Sequence, residues 1–279
     1  MINLGDYNRL RIVRFSDHGA YLDGGEIGDI LMPKSFVRPE MTVGDEVCVF
    51  VYLDQQERLV ATTEKSKARV GDFACLRVSW TNRFGAFLDW GLMKDLFVPF
   101  SEQQVKMEVD RWYVVYVYID ELTRRIVASA RLNRHLKPAT EEYVQGREVD
   151  VLIQGKSPMG LKVVVDNAFA GLVYSDQIRC KLLPGERCKG YVVKRRDDGK
   201  LDISLSPLGM ERVEQFALQL KKELVEAGGT LPFSDRSTAQ SIEARFHVSK
   251  KTFKAAVGRL YRERIIGLSD TEIWLTGEN

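Results

Sequence analysis

A chain of 279 residues exceeds one ordinary core and calls for two domains or several small ones. With 44% hydrophobic and 29% charged residues it reads as a globular protein, and no run of about 18 apolar residues is available to cross a membrane as a helix. The formal net charge of +2 identifies no polyanion partner by itself, and Cys48, Cys75, Cys180 and Cys188 form no C-x-x-C pair and have no histidine beside them, so neither zinc nor a disulfide framework is expected.

The first residues, Met1 to Tyr7, lack the basic and apolar segments of a secretory signal, which predicts a cytoplasmic location. Counted by segment, Lys+Arg against Asp+Glu gives 8 to 11 in 1–68, 11 to 10 in 69–145, 11 to 8 in 146–206 and 11 to 10 in 207–279. The positive excess falls in the third segment, where a polyanion would be held most strongly.

Self-similarity organises the chain up to residue 206. His18-Gly19-Ala20-Tyr21-Leu22-Asp23 returns 66 positions later as Phe84-Gly85-Ala86-Phe87-Leu88-Asp89. At the same offset Leu31-Met32-Pro33 becomes Phe97-Val98-Pro99, and Val51-Tyr52-Leu53-Asp54 becomes Val117-Tyr118-Ile119-Asp120. A weaker third copy follows at an offset of 75, with Gly85 matching Gly160 and Phe97-Val98 matching Leu172-Val173. Each copy reads as about five short strands of Val, Ile, Leu and aromatic residues between Gly, Asp and Asn turns. Units of this size are predicted to close into small barrels, which leave no exposed strand edge. Gly19, Gly85 and Gly160 are expected to take the sharp bend that such a barrel needs. The bounds expected are 1–66, 67–137 and 138–206 for the barrels and 207–279 for a final domain.

Phe84 to Leu88, Leu96 to Ser101, Val114 to Ile119 and Arg125 to Ser129 resemble the S-one domain, a five-stranded oligonucleotide-binding barrel that binds RNA. The resemblance implies an RNA face built from rings beside the glycine, a histidine after strand three, and Asp and Arg near strands four and five; Pro33, Pro99 and Tyr174 stand at the histidine position in this chain. Carried onto this chain, the second copy supplies Phe84, Phe87, Pro99, Asp120 and Arg124 or Arg125. The first supplies His18, Tyr21, Pro33, Asp54 and Arg58. The third supplies Met159, Lys162, Tyr174, Arg196 and Lys200, with Lys194 and Arg195 alongside. The second copy has the better stacking pair and the third the better electrostatics, while the first, with a net of three negative charges, is expected to bind weakest. An aromatic alternating with apolar neighbours is also what a strand core requires, so periodicity leaves Phe87 and Tyr21 open between platform and core.

After Ser206 the apolar period lengthens to that of a helix. Val213, Phe216, Ala217, Leu220 and Leu224 share one helical face, ended by Gly228-Gly229. Leu231-Pro232-Phe233 reads as an extended link, and Ser237-Thr238-Ala239-Gln240 as a capping box opening a second helix to about Arg245. His247 falls in a turn as a cap or packing residue, and Ser249 caps a third helix, Lys250 to Arg262, with Phe253, Val257 and Leu260 inward. Two strand-like pieces, Ile265–Leu268 and Glu272–Leu275, complete the order of a winged helix-turn-helix. Lys250, Lys251, Lys254 and Arg259 give the third helix a cationic side suited to phosphates, although it lacks the Asn and Gln that read bases. Three such barrels and a winged helix resemble the bacterial conserved virulence factor B, or YitL-like, family over essentially the whole chain.

The fold expected is mainly β with a C-terminal α/β part: three tandem oligonucleotide-binding barrels and a winged helix. His18, His135 and His247 sit in different segments and no acidic motif clusters, so no catalytic centre is expected. The function expected is non-catalytic, post-transcriptional regulation through single-stranded RNA, with duplex nucleic acid as a further partner of the winged helix and no metal or cofactor. The alternative is a DNA-binding transcription regulator.

Overall fold

Five strands recur three times in the computed structural model, which describes residues 2–178, 181–207 and 209–276; Cys180 lies outside them. The first set is β1 (Asp6–Ser16), β2 (Gly19–Asp23), β3 (Asp29–Pro33), β4 (Glu46–Leu53) and β5 (Leu59–Thr62). The second is β6 (Phe73–Thr81), β7 (Gly85–Asp89), β8 (Leu96–Pro99), β9 (Trp112–Ile119) and β10 (Ile126–Ser129). The third is β11 (Glu148–Ser157), β12 (Gly160–Val165), β13 (Phe169–Tyr174), β14 (Arg187–Arg195) and β15 (Leu201–Ser204). Each closes in the order one-two-three-five-four, with strands three and five parallel, the oligonucleotide-binding arrangement expected from the repeat.

The barrel glycines at the start of β2, β7 and β12 are required by crowding at all three positions and by their own backbone conformation at two. A Cβ on Gly19 would meet the Met32 carbonyl oxygen at 2.1 Å, one on Gly85 that of Val98 at 2.2 Å, and one on Gly160 that of Val173 at 2.0 Å. Gly19 and Gly160 also have φ of +143° and +148°, which side chains resist. The bend itself lies in the preceding strand. Register slips by one residue at Val13, Ser79 and Gln154, between the pairs Ile12↔Leu22 and Arg14↔Tyr21, Val78↔Leu88 and Trp80↔Phe87, and Ile153↔Val163 and Gly155↔Lys162. A bulge of this kind reverses the inward and outward phase of the strand beyond it.

The barrels are packed onto one another. Phe50, Tyr52 and Val60 of the first join Trp90, Leu92 and Leu96 of the second in one apolar cluster, and Phe50 meets Trp90 edge-on at 5.7 Å. Phe73, Val114 and Leu132 form another cluster with Leu152 and Val164 of the third. Across that junction Asn167 accepts from Phe73 N at 2.8 Å and donates to the Gly71 carbonyl at 3.2 Å and to Asp72 at 3.0 Å.

The C-terminal part comprises α1 (Gly209–Glu226), β16 (Thr230–Leu231), α2 (Ala239–Phe246), α3 (Lys250–Arg262), β17 (Ile266–Leu268) and β18 (Ile273–Leu275). Its core, including Phe216, Leu220, Ile242, Phe253 and Ile273, is drawn from this part alone. Two local features differ from the sequence reading. Thr238, not Ser237, caps α2, accepting from Ser241 N at 3.1 Å, so no Gln closes a capping box. Leu231 belongs to a strand, since β16 pairs with β18 and makes the wing three-stranded. Ser249 caps α3 and His247 is the left-handed C-cap of α2, both as the sequence indicated.

Candidate nucleic-acid interface

In the first and second barrels the bulge turns one side chain of the first strand, Arg14 or Trp80, onto the outer face beside the ring of the second. In the second barrel this side chain is Trp80. Simple alternation after Leu76 and Val78 would bury it; the bulge at Ser79 leaves it 45% exposed. Its indole lies on Phe87 with centroids 3.7 Å apart and planes within 3°, and Phe87 in turn meets Phe97 at 5.0 Å. Asp95 fixes the stack by accepting from Trp80 Nε1 at 2.9 Å and Ser79 Oγ at 3.3 Å. Phe87 is therefore covered on one face, and the open rings are Trp80 and Phe84. Phe84 is 58% exposed in the β6–β7 turn, with the Arg83 guanidinium 4.7 Å from its centroid.

The first barrel repeats this design with a cation in place of the indole. The Arg14 guanidinium lies 3.5 Å over the Tyr21 ring and donates to Asp29 at 3.2 Å. Arg14 and Asp29 stand 66 positions before Trp80 and Asp95. Tyr21 is thus roofed by its own chain, while His18 is exposed nearby at the β1–β2 turn. In the third barrel the partner of Lys162 is Gly155, and Ala170 stands where the acid would be, so nothing roofs the lysine.

The remaining residues implied by the resemblance are dispersed. Arg58 is bonded doubly to Asp54, at 2.8 Å and 2.7 Å. Burial pushes the Asp54 carboxyl up, but backbone and guanidinium hydrogen bonds from Arg58 and the Gln56 N–H outweigh it and hold it below the ordinary value. The same β4–β5 tip is pinned to the second barrel, where Lys94 donates to the Asp54 carbonyl at 2.7 Å and Arg125 pairs with Glu57. Arg124 is exposed in the β9–β10 turn with φ of 58°.

In the third barrel Lys162, Arg196 and Lys200 line a groove of about 830 Å³, whose opposite wall is the connection between the second and third barrels. Arg196 is held by Asp202 at 2.7 Å, which favours its charged form, and donates to the Tyr174 hydroxyl at 3.0 Å. Lys200 pairs with Asp198 at 2.7 Å. Arg195 instead donates to the Ala139 carbonyl at 2.9 Å, and neither it nor exposed Lys194 lines the groove.

On the winged helix, Lys254 faces Asp235 at 3.6 Å and Arg259 is shared by Glu214 and Glu263, both at 2.9 Å. Lys250 and Lys251 form no ion pair among the described residues, and the wing turn carries Asp270 and Glu272. No cluster of His, Cys, Asp and Glu that could hold a metal ion occurs among the described residues, and no described helix is long and apolar enough to cross a membrane.

Residues 4–64 match the family described as S1 domain, and residues 219–275 match the CvfB-like winged helix domain. Conserved virulence factor B of Staphylococcus aureus (strain USA300) is 25% identical over 244 residues, 85% of this chain and 81% of that protein. YitL of Bacillus subtilis (strain 168) is 28% identical over 272 residues, 92% of this chain and 89% of that protein. A solved structure from Streptococcus pneumoniae TIGR4, described as a multidomain protein with nucleic acid binding domains, is 23% identical, with 98% of each chain covered and a TM-score of 0.43.

Proposed function

As a homologue of the conserved virulence factor B and YitL proteins, with an S1 barrel at one end and a CvfB-like winged helix at the other, the chain is one that we propose binds single-stranded RNA in the cytoplasm, without catalysis, as a post-transcriptional regulator. The observation that carries this reading is the pair of open rings, Trp80 and Phe84, on the outer face of the second barrel. Bases of a single strand stack on such rings whatever their identity, whereas the bases of a duplex are already stacked on one another. The same face, formed by the second and third strands and the loops at their ends, is where oligonucleotide-binding barrels receive ligands.

The winged helix gives less support to duplex DNA, because acids already neutralise Lys254 and Arg259 on α3. Competition for the whole protein between a fluorescent 12-mer oligoribonucleotide and duplex DNA of equal length tests both readings. Displacement only by single strands, with the labelled RNA left intact in magnesium, is the expected result. Preferential displacement by duplex would shift the function to the winged helix, and cleavage would replace binding by catalysis.

A further inference from the structure

The connection between the second and third barrels forms one side of a groove on the third barrel. Residues 133–138 pass along the third barrel, leaving the 3-10 helix Leu132–Arg134 and making one isolated bridge: Lys137 pairs with Phe169 in parallel fashion, its N–H donating to the Ala168 carbonyl at 2.9 Å. Two residues further, Ala139 N donates to the Gly199 carbonyl at 2.8 Å and the Ala139 carbonyl accepts from Arg195 Nε at 2.9 Å. The segment leading to this bridge is fixed at its other end by His135, whose ring stacks on Tyr116 at 4.3 Å. A wall anchored at both ends is a preformed surface rather than a loose linker.

The two walls of the groove carry complementary chemistry. From the connection come the Asn133 carboxamide and the Lys137 ammonium; from the barrel come the Gln154 carboxamide and the Lys162 ammonium, over a floor that includes Met159 and Leu172. None of these four polar groups has a hydrogen-bond or ion-pair partner among the described residues. Gln154 is the bulge residue of β11 and so reaches the groove only because the strand slips register there. The volume, about 830 Å³, is within the usual range for a small-ligand site. Apolar floor, two amides and two unpaired ammonium groups answer, respectively, to a base plane, a base edge and its flanking phosphates.

We propose that this groove takes one unstacked nucleotide of the bound strand, with Asn133 and Lys137 of the connection, facing Gln154 and Lys162, determining base preference and phosphate grip. The proposal rests on the single-strand reading above and assigns it a site of different character: base-tolerant stacking on the second barrel, base-edge reading in the third.

The test uses the full chain and 12-mer homopolymers of U, A and C, with affinity measured by anisotropy across a salt series. The parent is expected to prefer one homopolymer. In Asn133→Ala and Gln154→Ala the ratio of best to worst affinity falls toward one while the salt slope stays parental. In Lys137→Ala and Lys162→Ala the ratio persists and the slope falls by about 0.7 per substitution. Asn133 and Lys137 are exposed, so their variants leave the barrel cores intact. Parental ratios and slopes in all four variants overturn the groove as a site while leaving stacking in place. Failure of the parent to bind any homopolymer overturns the RNA reading itself.

Discussion

Trp80 is the residue on which the stacking argument turns, because its indole occupies the face of Phe87 that a base would otherwise use. Trp80→Ala removes the outer platform and is expected to weaken binding of a 12-mer by about 1–3 kcal/mol, the range for one stacked base, with the salt slope unchanged. Phe84→Ala should cost a similar amount, and the effects can be read by anisotropy in variants with unchanged melting. Phe87→Leu, which keeps apolar support under the indole, should cost less than either. Asp95 acts through Trp80, and Asp95→Asn retains an acceptor for the indole N–H, so near-parental binding there beside a loss in Asp95→Ala would separate positioning from charge. A parental affinity in folded Trp80→Ala would place the strand elsewhere.

His135 offers a pH dependence at the same scale. Burial holds its imidazole below the ordinary 6.5, with Arg134 acting in the same direction and Glu102 against it. A histidine that resists protonation when folded contributes its full stability above the unfolded value and loses it as pH falls through the folded one. Urea midpoints should therefore decline as pH falls below about 6.5, and His135→Phe should flatten that decline. An unchanged pH profile in that variant would assign the decline to other groups.

Among the elements, the strands beginning at Gly19, Gly85 and Gly160 tolerate least change. Gly160→Ala adds a Cβ against the Val173 carbonyl at a positive φ and should destabilise the third barrel by about 1–3 kcal/mol, seen as a lower urea midpoint. The three barrels were legible because closed sheets of one design impose the same glycine and apolar spacing on each copy, although the Pro of the first two gives way to Tyr174 in the third. What alternation could not show was Trp80, since a one-residue bulge carries no signature in a run such as Leu76 to Trp80 and reverses which side chains face outward. The 66-residue offset held a clue, as it aligns Asp29 with Asp95 and Arg14 with Trp80. The groove wall at 133–138 was illegible for another reason: a segment docked by one bridge has no period to read. Arg125 and Arg58 match the family's pattern in sequence, yet their guanidiniums are engaged by Glu57 and Asp54. β16 escaped notice because two residues before Pro232 are too few to alternate.

For the whole molecule, the clusters divide the chain unequally. Phe50 of the first barrel is fully buried partly through Trp90 of the second, so Trp90→Ala should cost about 3–5 kcal/mol and lower the stability of both barrels together. Loss confined to the second barrel, resolved by amide exchange, would show the two cores to be independent. The winged helix closes its core from its own residues, and residues 207–279 are expected to fold when expressed alone, with helical circular dichroism and a cooperative melt. A non-cooperative signal would mean that the barrels complete it.

On the single-strand reading proposed above, the Asn167 clasp between the second and third barrels has a consequence for how long a bound strand must be. By clamping Phe73 N–H, the Gly71 carbonyl and Asp72 to one side chain, it fixes the distance between the rings of one barrel and the groove of the next. A strand too short to span that distance engages one patch at a time; one long enough finds the second patch at high effective concentration. Affinity plotted against oligonucleotide length should therefore rise abruptly at one length rather than gradually, and Asn167→Ala should blur the step. If the proposed single-strand binding holds, the molecule would act as a gauge for the length of an unpaired stretch.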